Sequence, residues 1–296
     1  MNTDHLRAFV TAVDEGTFDA AAALLGISGS AFSQRIKALE KEVGHVLVTR
    51  TVPVAPTASG TALLRIARQT VMLEDEARRS LKFGTSGQGS GISTLAVAVN
   101  ADSLATWFIR VLQEAATWDD VELHLVAEDQ EHTHELLRDG SVAAAITDRP
   151  TAIPGCRSTS LGTMTYWPVA SAQLLDRHRG ADGLVAWHRV PLVDFTIRDS
   201  LQRNALRRLT GGETPVTHLV PSVEAYNAAV RFGLGWGMMP EIQMPAKLLE
   251  GTHADLVMIP ELGVQRAALH WQHWSSTTPV VDRLTAAVQR AARILR

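Results

Sequence analysis

Five polar side chains, Ser30, Ser33, Gln34, Lys37 and Lys41, recur through GISGSAFSQRIKALEKEVG at residues 26–44. On a helix turning about 100° per residue they fall on one side, within about 100° of arc. Phe32, Ile36, Leu39 and Val43 take the opposite side. Hydroxyls and amides of this size suit the edges of bases, and a glutamine can pair bidentately with adenine. The lysines suit phosphates. The chemistry is therefore the reading of a duplex groove, with a merely solvated helix face as the plain alternative.

The elements that must hold this face lie on either side of it. Leu6, Phe9, Val10 and Val13 recur at i, i+3, i+4, i+7, and Gly16 stops that first helix. Thr17 can cap a second, alanine-rich helix over 19–25, ended by Gly26. Ser28 can cap the third, which runs to Gly44. Extended segments around Leu47-Val48 and Val52-Val54 follow, with Pro53 and Pro56 marking edge and end and Arg50 at the base of the hairpin. Two short helices, a tight turn, a polar-faced third helix and a hairpin together predict a winged helix-turn-helix over residues 1–58. Its expected DNA contacts are Ser28, Ser30, Ser33, Gln34, Lys37, Arg50 and Thr51.

From Thr57 to Phe83 there is no proline, and the only glycine, Gly60, lies in the first turn. A helix of that length spans about 40 Å. Leu63, Ile66, Thr70, Leu73, Ala77 and Leu81 trace a stripe at three- and four-residue spacing, with Leu64, Ala67 and Val71 beside it. The stripe predicts pairing with a second copy of the chain; an intradomain core helix is the alternative. GTSGQGSG at 84–91 completes a linker segment over 59–91. It lacks the ending, the spacing and the preceding strand of a phosphate-binding loop.

Beyond residue 92 the pattern changes to short β-branched strands separated by helices: ISTLAVAVN, VELHLVAED, VAAAIT, MTYWPVAS, VPLVDF, THLVPS, WGMMP and DLVMIP. That alternation predicts an α/β domain with a mostly parallel sheet over 92–296, ending in an amphipathic helix from Val280 to Leu295. Sheets of this kind bind ligands at the carboxyl ends of their strands.

TFDAAAALLGISGSAFSQRIKALEKEVGHVLVTR, followed by TASG and a long helix, resembles the winged helix-turn-helix of LysR-type transcriptional regulators. RTVPVAPT, AVNADSLATWF, the EDQEHT stretch and PSVEAYNAAVRFGLGWGMMP resemble more narrowly the ArgP/LysG branch, which senses basic amino acids. The resemblance covers essentially the whole chain. It implies an effector domain like a periplasmic binding protein, with subdomain I over about 92–166 and 271–296 and subdomain II over about 167–270. The effector, lysine, arginine or histidine, would lie between them, with no cofactor. It further implies a homodimer or homotetramer on a double-stranded DNA operator, acting on RNA polymerase, with an amino-acid exporter gene as the natural target. An architectural or replication-control DNA binder is the alternative. Two positions depart from the family: Gly29 replaces a glutamine or proline at the start of the helix, and Phe32 replaces a smaller aliphatic residue.

Strand ends point to the same cleft. Asn100, Asp102 and Ser103 open a helix after the first strand, Glu128 and Asp129 end the next, Thr147 ends a third, and Ser222 and Glu224 open another helix. Free N–H groups and hydroxyls there suit an α-carboxylate, while the acidic residues suit a cationic side chain. Strand alternation turns only one of Glu128 and Asp129 inward, and Glu128 is the expected one. Asp102 and Glu224 can equally serve as helix caps.

The chain has 296 residues, 46% hydrophobic and 20% charged, with a formal charge of −3, so DNA affinity cannot rest on bulk charge. The first 60 residues carry five Lys/Arg and six Asp/Glu, which predicts a weak half-reader that needs avidity. One cysteine, a charged and polar start and no long apolar run predict a soluble cytoplasmic protein that neither enters a membrane nor is secreted. His132 and His134 lack a third metal ligand at a usual spacing, Gly233, Gly235 and Gly237 follow a helix rather than a strand, and Cys156 has no base nearby in sequence. No metal site and no enzyme are expected.

Overall fold

The computed structural model describes residues 1–83, 92–127, 130–197, 199, 201–210 and 215–295. Helices α1 (Thr3–Glu15), α2 (Phe18–Leu24) and α3 (Gly29–Val43) open the chain. Each starts where a side chain replaces a missing helical acceptor: Asn2 accepts from the Asp4 N–H, Thr17 from Ala20 and Ser28 from Ala31. Left-handed Gly16 and Gly44 end the first and third. Leu6, Phe9, Ala12, Phe32, Ile36 and Leu39 form their common core. The unusual Phe32 ring meets Phe18 edge to face, 5.2 Å between centroids, which accommodates its extra bulk.

The predicted hairpin is smaller than expected. Val48 and Pro56 form one isolated antiparallel bridge, and the Thr49 N–H donates to the Ala55 carbonyl at 2.8 Å. Pro53 and Pro56 carry no N–H, so a longer ladder cannot propagate across them.

Helix α4 (Ala58–Phe83) runs along α1. Leu64 and Ala67 are buried in the core of the first three helices, and Leu63 and Val71 pack against it. Arg7 of α1 donates to Glu74 at 3.1 Å and to Asp75 at 2.5 Å, which fixes the two helices side by side. The opposite side keeps Ile66, Leu73, Ala77 and Leu81 exposed, and the Thr70 hydroxyl donates to the Ile66 carbonyl.

The remainder is β1 (Ser93–Val99), α5 (Ala101–Leu104), α6 (Ile109–Ala115), β2 (Val121–Ala127), α7 (Gln130–Asp139), β3 (Ala144–Thr147), β4 (Cys156–Ser171) and α8 (Ala172–Arg177). Then come β5 (Leu192–Asp194), α9 (Leu201–Thr210), β6 (Thr217–Leu219), α10 (Val223–Arg231), β7 (Gly237–Pro240), α11 (Ala246–Leu249), β8 (Leu256–Met258), β9 (Gln265–Trp274) and α12 (Pro279–Ala291). The main sheet has the order β2-β1-β3-β9-β4-β7, with β8 also on β4. It is mixed, not mostly parallel as expected. β1 pairs in parallel with β2 and β3, but every pairing of β4 and β9 is antiparallel. These two long strands run against each other from Cys156–Trp274 to Tyr166–Gln265, and β4 then continues beside β7 and β8. β4 begins eight residues before the predicted MTYWPVAS, because Ser158, Ser160 and Gly162 interrupt any apolar run there. β5 and β6 form a separate parallel pair, reached from β7 through a Leu192–Trp236 bridge.

Within β9, Trp271, Gln272, His273 and Trp274 are all buried, so little of the HWQHW segment is rim. Among the described residues no helix is long and apolar enough to cross a membrane.

Candidate DNA-reading face and effector cleft

On α3 the structure places Ser30, Gln34, Lys37 and Lys41 in solvent, with Ser33 half-buried between them. Ser28 spends its oxygen on the helix cap and lies 3.0 Å from the Ser30 hydroxyl. Arg50 and Thr51 are exposed beyond the Val48 bridge, where the Thr51 hydroxyl donates to the Pro53 carbonyl at 3.1 Å. Arg35 turns away toward Asp4, 3.8 Å distant, and leaves the face to short polar groups and two lysines. Gln34→Ala is expected to cost about 1–3 kcal/mol on the preferred site alone. Lys37→Ala is expected to weaken all duplexes alike and to flatten the salt slope by about one unit. Fluorescence titrations on matched and scrambled duplexes at several salt concentrations distinguish the two.

Gly29 opens α3 with room for a side chain: an added Cβ would meet only the Asp19 carboxylate, at 3.9 Å. Gly29→Ala should therefore raise stability by about 0.5–1 kcal/mol, read as an increase in Tm.

In the α/β domain some of the predicted residues are buried and others stay exposed. Ser103 is fully buried and accepts from the Trp107 indole N–H at 3.0 Å. Thr147 is also fully buried; its hydroxyl donates to the Arg149 carbonyl and accepts from Gln272. Ser222 caps α10 and donates to Glu224, which is exposed in the first turn. Asn100, not Asp102, takes the cap position of α5. Its side-chain oxygen makes no cap bond and is buried without a partner. Glu128 and Asp129 lie outside the described residues.

Asp102 is tied to Tyr166 and feels the charge of Asp199. Its carboxylate accepts from the Tyr166 hydroxyl at 2.9 Å. Burial nevertheless pushes it up to about 6; the Tyr166 bond opposes that rise and the charge of Asp199 adds to it. Asp194, at the carboxyl end of β5, is completely buried, and neither oxygen has a hydrogen-bond partner. Burial and then the charge of Asp199 push it up to about 7, against the pull of Arg203, whose Nε lies 3.8 Å away. Asp199 is held by the backbone N–H groups of Phe195 and Leu201. Tyr226 stands behind these carboxylates, its hydroxyl accepting from Gln202 at 2.7 Å and from the Met238 N–H at 2.8 Å. Gly237 permits that approach, since a Cβ there would collide with the Tyr226 hydroxyl. Sequence reasoning missed Asp194 and Asp199. Asp194 ends a predicted strand and was within reach of the strand-end rule; Asp199 sits in a loop with no periodic signal.

Asp102 and Asp194 thus both feel the charge of Asp199, with the Arg203 Nε 3.8 Å from Asp194. The arrangement favours a cation. Catalysis finds no support at Cys156, whose thiol is pushed by burial up to about 11 and stays protonated at neutral pH. Among the described residues no group of three or more His, Cys, Asp or Glu is arranged for a metal ion.

Residues 3–61 match the bacterial regulatory helix-turn-helix protein, lysR family, and residues 88–293 match the LysR substrate binding domain. The chain belongs to the LysR family of bacterial transcriptional regulators, which sets aside the architectural and enzymatic alternatives. Within that family it is similar to the lysine export transcriptional regulatory protein LysG of Corynebacterium efficiens, 42% identical over 99% of this chain and 98% of the relative. It also resembles the crystal structure of ArgP from Mycobacterium tuberculosis, with a TM-score of 0.85 and 39% identity over 99% and 98% of the two chains. A third likeness is full-length LysG from Corynebacterium glutamicum with bound effector arginine, with a TM-score of 0.80 and 38% identity over the same shares.

Proposed function

We propose that this protein is a cytoplasmic regulator that senses a basic amino acid and transmits its occupancy to an operator. The observation that carries the reading is the buried carboxylate of Asp194, which has no hydrogen-bond partner and, like Asp102, feels the charge of Asp199. Carboxylates crowded in this way repel one another, and a guanidinium or ammonium between them offsets that cost. Asp102 lies on the half spanning about 92–166 and 271–296; Asp194 and Asp199 lie on the half spanning about 167–270. A cation bridging them draws the halves together about the paired strands β4 and β9. The arginine bound to the similar Corynebacterium glutamicum structure supports this choice of ligand.

Asn100 and Ser222 at the rim would orient the amino-acid end, with Glu224 and Glu128 as further acidic contacts. Ser103 and Thr147 act from within the wall. The exposed side of α4, with Ile66, Thr70, Leu73 and Ala77, pairs two copies of the chain, while Leu63, expected in the same stripe, packs against the core of the first three helices; dimers or tetramers of the chain place two or more α3 helices on an interrupted operator. Closure shifts the arrangement of the assembly on DNA by the ligand's differential affinity, typically about 1–3 kcal/mol, and so its action on RNA polymerase. The name of the Corynebacterium efficiens relative supports an exporter gene as the target.

Calorimetry of the full-length protein with arginine, lysine and histidine tests the reading. Saturable binding of at least one is expected; no heat with any of the three would remove it and leave DNA binding intact.

A further inference from the structure

Arg68 stands where the DNA-reading part, the long helix and the sensor meet. Its side chain is 13% exposed, and one guanidinium serves three segments. Nη2 binds the Asp14 carboxylate at the end of α1. Nη1 donates to the Asp139 carbonyl at 3.2 Å and to the Ser141 hydroxyl at 3.1 Å, in the turn that follows α7. One helical turn earlier, Arg65 lies against the same turn: a Cβ on Gly140, which has a φ of +81°, would come within 2.9 Å of the Arg65 Cα. A Cβ on Gly155 would collide with the Arg65 guanidinium.

Beside this close approach the junction opens to solvent, and Met72 of α4 packs against the core of the α/β domain. A cavity of about 560 Å³ opens beside the clasp, lined among others by Val10, Met72, Leu95, Trp274 and Val280. The first helices and the α/β domain are held in their relative orientation here by the Arg68 contacts together with the Arg65 approach to Gly140. α1 and α4, by contrast, share one apolar core and move together.

Helix α7 connects this clasp to the ligand cleft. It starts just beyond the carboxyl end of β2, the same end of the parallel β1–β2 pair after which Asp102 follows, and ends at Asp139. Its ten residues cover about 15 Å. Thr133 pins it to β3 by donating to the Ile146 carbonyl at 3.1 Å, so α7 moves with the sheet of its own half.

We propose that Arg68 is the coupling residue of this regulator, through which movement of the Asp139–Ser141 turn on effector binding re-aims α1 and α4, and with them the reading helix α3. The inference deepens the effector reading and rests on it. Arg68 touches neither ligand nor DNA and acts by position.

The test compares the full-length wild type with Arg68→Gln and with Ser141→Ala, which removes only one of the two bonds on the sensor side. Arginine is the probe, and the duplex is one selected from random-sequence DNA by the wild type. Arg68→Gln is expected to bind arginine within about twofold of the wild type, while the effect of arginine on duplex affinity or footprint falls at least about threefold. Ser141→Ala should show a smaller loss in the same direction, at unchanged Tm. Full retention of the arginine effect in Arg68→Gln overturns the proposal, as does a wild type that binds arginine without any effect on DNA. If the wild type binds no arginine, the effector reading fails by itself. Hydrogen exchange then still tests the clasp: Arg68→Gln should exchange faster both at residues 139–141 and at the end of α1, and unchanged exchange at either place overturns it.

Discussion

Arginine affinity is expected to fall on the order of 100-fold as the pH is lowered from about 8 to about 5.5. Burial and mutual repulsion hold Asp102 near 6 and Asp194 near 7, both above the ordinary carboxylate range. A cationic ligand requires the ionised forms, so below these values each carboxylate must release a proton before it can serve. The loss approaches tenfold per pH unit for each group that is mostly protonated. Calorimetry in buffers of different ionisation enthalpy reads the released protons directly, and Asp102→Asn should flatten the profile as well as weaken binding. The same shifts act on the unliganded fold with a definite sign. Because the folded-state values are raised, the contribution of both groups to stability is complete below about pH 4 and is lost as the pH rises through 6 and 7. The gain in Tm with arginine should therefore be largest above pH 7.

Ile66→Glu combined with Leu73→Glu is expected to separate the assembly and to lower operator affinity by about 10²–10⁴. Both side chains are exposed on α4, at 45% and 39%, on the side that the core of the first three helices does not use. A glutamate at either position costs little in a lone chain but places charge in the interface that a partner helix would bury. The loss on DNA would be one of avidity: a single α3 presents only two lysines and a few uncharged groups to the duplex. Sedimentation velocity reports the assembly and duplex titration reports the affinity. A double variant that sediments as the wild type would place the interface elsewhere.

What was legible in the sequence was local. Thr17 and Ser28 cap helices with their own hydroxyls, Gly16 and Gly44 end them in the left-handed region, and the apolar spacing fixes which side of α3 is left for DNA. The hairpin was over-read because Leu47, Val48, Val52 and Val54 have strand character while Pro53 and Pro56 deny the ladder its donors. The first half of β4 was illegible for the opposite reason. Arg157, Ser158, Thr159 and Ser160 have little strand signal and are extended because they pair with β9, more than a hundred residues away. The candidate site divides in the same way. Asp102 could be found from its place after a strand, whereas its relation to Asp199 and Asp194 exists only once α5, β4, β5 and α9 converge. Arg68 is similar: in sequence it is one cation on a long helix, and its three partners come from α1 and from the turn after α7.

A site that reads positive charge must tell arginine from an uncharged ligand of the same shape. The most direct measurement is the affinity of the full-length protein for arginine against citrulline, which has nearly the same shape and no charge. Citrulline is expected to bind weaker by about 100-fold or more at pH 7.5, since loss of the cation leaves the aspartates uncompensated. Equal affinities would contradict it.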